Sequence, residues 1–233
     1  MKKTFLVCFF AILCCPLFGQ ESGFPFGLVT YRELEMKSYD KDTSAVAVVL
    51  DEFGEAFMDD VDPFNLVFSV HRKIKILKTS GLDYANIEIY LDKHEHRKEF
   101  VRTIKASSFT IENGSIKETP LEFRNIFTEN VDRDTEARKF AIPNVKVGSV
   151  IEYQYVLESP FKFNFRSWFF QWSIPKVKSE YWALIPGNYI YNITLKGFID
   201  LSLNENKLVK DCYKPGGRSA DCVRYKFGMK DIP

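Results

Sequence analysis

Apolar and polar residues alternate with a period of two along most of this chain, the period of strands that bury one face. Between residues 66 and 77, Phe68, Val70, Ile74 and Ile76 fall on one side, and His71, Lys73 and Lys75 on the other. Ile87, Ile89 and Leu91 make a second apolar face. Residues 150–157 set Ile151, Tyr153, Tyr155 and Leu157 against Glu152 and Gln154. Gly148 precedes that run at a turn, and Pro143, lacking an N–H, ends any earlier ladder. Residues 45–50 are rich in β-branched side chains and are predicted to stop near Asp51-Glu52-Phe53-Gly54. Phe109 and Ile111 lead into Asn113-Gly114 and then Ile116, the strongest short hairpin signal. Tyr189, Tyr191, Ile193 and Leu195 alternate as a further strand, and Leu201 and Leu203 turn through Asn204-Glu205-Asn206 into Leu208 and Val209.

Helical signal is scarce. Thr30 and Glu33 have the spacing of a capping box before Leu34, which predicts a short helix over residues 31–36. Phe123, Ile126, Phe127 and Val131 allow a turn or two more, against the charged run that follows. There are no repeats and no long linker. The pattern predicts a mainly all-β fold, an antiparallel β-sandwich with one or two short helices.

The leader changes the cysteine arithmetic. Residues 1–19 read as a signal peptide: Lys2 and Lys3, an apolar run too short to span a bilayer, and Gly19 before a cut at Gln20. Leu13 before Cys14 argues against lipidation, and no later stretch is apolar enough to cross a membrane. Cys8, Cys14 and Cys15 leave with the leader, so Cys212 and Cys222 remain, flanking the turn Lys214-Pro215-Gly216-Gly217-Arg218. In an exported chain they are predicted to form a disulfide across a hairpin rather than to hold a nucleophile. The net charge is +1, falling to −1 without the two leader lysines, so no basic excess points to a nucleic acid. Residues 20–233 suffice for one β-sandwich domain. The chain stops at Pro233 just after a strand-like segment, which suggests the N-terminal part of a longer protein.

Candidate chemistry is thin. His94 and His96 lack the further ligands a metal centre needs and read as a polar loop, with His71 on an exposed strand face. Asp59, Asp60 and Asp62 lack the glycine and distal glutamate of an EF-hand and read as a solvated acidic turn. A carboxylate pair such as Glu152 with Glu158 would need a fold that converges them. No Ser-His-Asp or Cys-His-Asp arrangement and no phosphate loop is readable, so no catalytic residue, metal or cofactor is assigned. The aromatic block has two readings. Phe161, Phe163 and Phe165 alternate with polar residues, whereas Trp168, Phe169, Phe170 and Trp172 fall on both faces of any strand. Burial is the favoured reading. The alternative is a binding platform for a polysaccharide or peptide made of Trp168, Trp172, Tyr181 and Trp182.

Four segments resemble the secreted bacterial domain of unknown function 3857, which precedes a transglutaminase-like core: YDKDTSAVAVVLDEFGEA (39–56), HRKIKILKTSGLDYANIEIYL (71–91), RKFAIPNVKVGSVIEYQY (138–155) and WFFQWSIPKVKSEYWALIPG (168–187). The resemblance implies a β-sandwich in a periplasmic or cell-surface protein of a Gram-negative bacterium. Its chemistry would lie in a downstream Cys-His-Asp core that this chain does not contain. The expectation is a non-catalytic accessory domain, partnered by a downstream transglutaminase- or protease-like domain of the same protein.

Overall fold

A computed structural model describes residues 23–60, 65–163 and 165–233. The signal segment and Asp62 lie outside the described residues. Twelve strands form two sheets: β1 (Ala47–Met58), β2 (Leu66–Ile76), β3 (Asn86–His94), β4 (Arg97–Lys98), β5 (Phe100–Glu112), β6 (Ser115–Pro120), β7 (Phe127–Asn130), β8 (Thr135–Ala141), β9 (Val150–Ser159), β10 (Lys176–Pro186), β11 (Leu203–Tyr213) and β12 (Ala220–Ile232). The larger sheet runs β11-β12-β10-β1-β2-β9-β5-β6, the smaller β4-β3-β8-β7. Neighbours are antiparallel except β1 and β10, which run parallel because the chain crosses over the sheet through residues 160–175 between β9 and β10.

The expected all-β architecture is what forms, but the second layer is uneven. The smaller sheet covers only part of one face of the larger one. There Ile87, Ile89 and Leu91 of β3 and Phe140 of β8 pack on Ile74, Ile76, Ile151 and Leu157. Over β1, β10 and β12 the cover is irregular chain. Phe165, Trp168, Phe170, Tyr189, Tyr191 and Leu201 press on Ala56, Phe68, Val70, Tyr181 and Phe227. The aromatic block and the run Tyr189–Leu195 are therefore not strands; their alternating side chains anchor two loops instead. The loops are laced together by the Phe165–Tyr191 ring contact at 4.4 Å and by Tyr191 Oη donating to the Lys162 carbonyl at 2.5 Å.

Two other boundaries differ from the sequence pattern. β1 does not stop at Asp51–Gly54 but continues to Met58 after a bulge between Val49 and Asp51. Its buried Glu52 is neutralised across the sheet, as described below. β11 runs straight through Asn204-Glu205-Asn206, which are exposed on an edge strand and free to be polar. Phe123 opens a 3-10 turn (Phe123–Asn125) and Phe127 begins β7, with Ile126 between them, in place of an α-helix.

Local signals held where the chemistry is local. Thr30 Oγ1 accepts from the Glu33 amide at 3.2 Å, and the Glu33 carboxylate accepts from the Thr30 amide at 2.6 Å, capping α1 (Tyr31–Glu35). Asn113 and Gly114 take φ of 51° and 78°, the left-handed pair a tight hairpin requires. Cys212 and Cys222 form a disulfide between β11 and β12, with Cα atoms 5.9 Å apart. Replacing both with serine should cost about 2–3 kcal/mol for so short a loop. The check is the urea midpoint, which dithiothreitol should lower in the parent and leave unmoved in the variant.

Candidate functional site

Part of the outer face of the larger sheet, over β2, β9 and β5, is covered by the chain's own N-terminal segment. Residues 23–36 lie across it as a strap, and the polar column of β2 holds the strap down. His71 Nε2 meets Glu152 Oε1 at 2.7 Å, and Glu152 Oε2 accepts from the Gly27 amide at 3.0 Å. Phe24 stacks on the His71 ring at 3.8 Å, with Phe26 beyond at 5.7 Å. Lys73 Nζ donates to the Leu28 carbonyl at 2.7 Å, and Lys75 Nζ to the Leu34 and Gly148 carbonyls at 2.5 and 2.6 Å. Leu34 then drops between Phe109 and Val150. His71 is thus buried, and the expectation of an exposed strand face is corrected. The polar alternation on β2 was right, but its partners come from chain 41 to 81 residues away.

This clamp makes a pH prediction. Burial, with repulsion from Lys37, lowers the Lys75 amine from 10.5 to about 8, against the pull of Glu33. The unfolded chain keeps its proton up to 10.5, so between pH 8 and 10.5 the folded state binds fewer protons. Lys75 therefore adds stability as pH rises through that window, and below it the contribution is constant. The urea midpoint of the parent relative to Lys75→Met should move in the parent's favour from pH 8 to 10.5. A difference that stays flat would rule this out.

The opposite face carries a buried charge cluster where β1, β2, β9 and β10 come into register. Glu52 pairs with Arg72 on one side and Ser179 on the other, and Arg72 with Tyr153. One Glu52 oxygen takes the Arg72 Nε hydrogen bond. The other accepts from Lys176 Nζ at 2.6 Å and Ser179 Oγ at 2.5 Å. Trp168 Nε1 donates to Ser179 Oγ at 3.0 Å, and Arg72 also donates to Tyr153 Oη at 2.8 Å. Burial opposes the Glu52 charge, but Arg72, Lys176 and the hydrogen bonds outweigh it and hold the carboxyl below 4.5. Burial lowers the Lys176 amine, Glu52 raises it, and Arg72 lowers it further. Both oxygens of this carboxylate are occupied and it is fully buried, so it serves as a structural counter-ion.

A cleft of about 290 Å³ opens beside the cluster, between the sheets. Arg72 and Tyr153 line it from the larger sheet, Tyr84, Asn86 and Glu88 from the 3-10 turn Thr79–Ala85 and β3, and Trp172 from the crossing loop.

The four aromatics considered as a platform do not share one surface. Trp168 stacks on Tyr181 at 5.3 Å in the inner core. Trp182, next in sequence on β10, points to the other face, with Phe53 at 5.4 Å and the Lys226 ammonium 3.7 Å above its ring. Tyr181 and Trp182 are buried, and only Trp172 is 40% exposed, at the cleft. Glu152 and Glu158 sit six residues apart on β9, on the order of 20 Å along a strand, and each has its own side-chain partner: the His71 ring for Glu152, the Arg102 guanidinium for Glu158. Asp59 pairs with Arg102 as well. His94 and His96 lie exposed at the end of β3, and no cluster of three or more metal-ligating side chains occurs among the described residues. Sequence reading missed the Glu52–Arg72–Lys176 cluster. The available signal was Arg72 on the apolar face of β2, between Val70 and Ile74, and Lys176 between Pro175 and Val177, two cations in apolar settings that call for a carboxylate.

A structure from Parabacteroides distasonis, described as "a putative protease", superposes with a TM-score of 0.50 at 11% identity over 81% of this chain. This chain spans 36% of that one, and the likeness shows the fold alone. An M1 zinc metallopeptidase from Deinococcus radiodurans (TM-score 0.29, 8% identity, 80% of this chain, 42% of that one) is too distant to carry an argument. So is yeast LTA4 hydrolase (0.29, 13%, 82% and 30%). No curated protein matches the sequence. A family model described as a domain of unknown function with a solved structure, DUF3857, matches residues 64–233. That span runs from β2 to β12 and takes in the smaller sheet, the crossing loop and every member of the charge cluster but Glu52, so the chain belongs to the DUF3857 family.

Proposed function

We propose that this is an exported, non-catalytic β domain that serves as an accessory to a transglutaminase- or protease-like core of the same protein. The observation that carries the reading is the surface of the two laced loops. Their inward side chains complete the core, while Phe163 (89% exposed), Phe169, Ile190 (96%), Leu195 and Phe198 face outward. Exposed apolar side chains gathered on irregular chain mark a docking face for another folded unit. The buried acids described above are engaged by side chains of the domain itself, which fits a supporting role. A disulfide fits export, and no helix among the described residues is long and apolar enough to cross a membrane. The test is to assay purified residues 20–233 for peptide hydrolysis and acyl transfer, alone and joined to the downstream core. The expected result is activity only in the longer form; turnover by residues 20–233 alone would end the accessory reading.

A second reading, a glycan- or peptide-binding module, is favoured by one observation: Trp172 is half-exposed at the mouth of a formed cleft.

A further inference from the structure

We propose that the cleft between the sheets binds an α-amino-acid carboxylate, with the carboxylate on Arg72 and an apolar side chain against Trp172 and Tyr84. This gives the binding-module reading a defined site and rests on that reading; the accessory role stands or falls separately.

Charge and hydrogen bonding at the floor point to an anion. Two cations, Arg72 and Lys176, share one carboxylate, Glu52. The cluster therefore carries one excess positive charge in a place where charge is poorly solvated. Lys176 also donates to the Phe169 carbonyl at 2.7 Å, is itself buried and does not line the cleft. Arg72 does line it. Its Nε is held by Glu52 and one terminal nitrogen by Tyr153 Oη, which leaves the other terminal nitrogen without a partner among the described residues. A guanidinium fixed at two corners, with its face 4.8 Å from the Trp172 ring, is pre-organised to donate from the third.

The walls and mouth narrow the class. Trp172 and Tyr84 meet edge to face at 5.3 Å, and Tyr84 is pinned by a 2.8 Å hydrogen bond between its hydroxyl and Ser173 Oγ. With Ile87 they form an apolar wall that suits a flat or branched side chain. Glu88 is answered by Lys139 at 3.0 Å and adds little net charge. Asp83 and the Asn86 side chain remain to accept an N–H from the ligand. A carboxylate inside, an apolar group on the wall and an N–H at the mouth describe either a free amino acid or the last residue of a peptide. The volume is at the small end of ligand sites, which commonly run from about 300 to 1,000 Å³, and suits one residue rather than an oligosaccharide.

The three tryptophans provide separate reporters. In the indole region of a proton–nitrogen spectrum, the full chain is titrated with phenylalanine, with Gly-Gly-Phe and with the C-terminal amides of both. The expected result is a saturable shift of the Trp172 indole by the acids, with Trp168 and Trp182 unmoved and the amides at least about tenfold weaker. Tighter binding of the tripeptide identifies a peptide terminus as the source, and tighter phenylalanine a free amino acid; either supports the site. Tyr84→Ala should weaken the acids about fivefold, in line with loss of one aromatic contact, while unmoved Trp168 and Trp182 signals report an intact core. Equal binding of acids and amides would overturn the proposal. So would a Trp172 shift caused by a neutral oligosaccharide, or no saturable shift up to about 10 mM of acid. None of these outcomes touches the loop face of the accessory reading.

Discussion

Replacing Glu52 with glutamine should lower the unfolding free energy at neutral pH by about 3–5 kcal/mol, because removing one partner strands buried charge. The amide keeps the shape but leaves Arg72 and the fully buried Lys176 with no carboxylate between them. It also points an NH2 at one of those donors. Domains of this kind are stable by only about 5–15 kcal/mol, so the loss is a large share of the whole. A second substitution separates charge from packing: Lys176→Met in the Glu52→Gln background should recover part of the loss, since it removes a stranded cation. Acid titration gives an independent sign. Glu52 has its carboxyl held below 4.5, so its contribution is present above that pH and disappears as pH falls through the folded value. Glu52→Gln should show a correspondingly shallower loss of stability below pH 4.5. Urea unfolding at pH 7 and through the acid limb measures both, and a variant within about 1 kcal/mol of the parent would show that the cluster is not ionised as described.

Gly54→Ala should cost about 3–4 kcal/mol, the upper edge of what overpacking a core does. A methyl there would sit 2.2 Å from Trp168 Cζ3 and within 2.7 Å of two more ring carbons. The indole has nowhere to retreat, being stacked on Tyr181 and tied to Ser179. In a double-mutant cycle, Trp168→Ala should cost much less in the Gly54→Ala background than in the parent. Additive losses would mean that Gly54 serves only its own backbone. The glycine had looked like a stop for β1; its work is to let the crossing loop lie against the sheet.

That misreading shows where the sequence was legible. Features decided within a few residues could be read directly: the Thr30–Glu33 cap, the Asn113-Gly114 hairpin, the apolar faces of β2, β3 and β9, and the pairing of Cys212 with Cys222. Features decided by distant chain could not. Asp51 and Glu52 resemble a turn until Arg72 and Lys176 are brought to them by β2 and β10. His71, Lys73 and Lys75 resemble a wet face until the strap supplies its carbonyls and Glu152 its carboxylate. Tyr189, Tyr191, Ile193 and Leu195 alternate as a strand would, but no free sheet edge meets them. Half of the set goes into the core and the rest outward, toward whatever the loops cover.

What covers them is the central question, and hydrogen exchange on the joined protein answers it most directly. Amide exchange across residues 187–202 is compared between this domain alone and the same domain attached to the proposed downstream core. The accessory account predicts strong slowing of exchange around Ile190 and Phe198 in the joined form, with the strap and the β11–β12 hairpin unchanged. Unaltered exchange in that loop, with a folded and active core alongside, would contradict it.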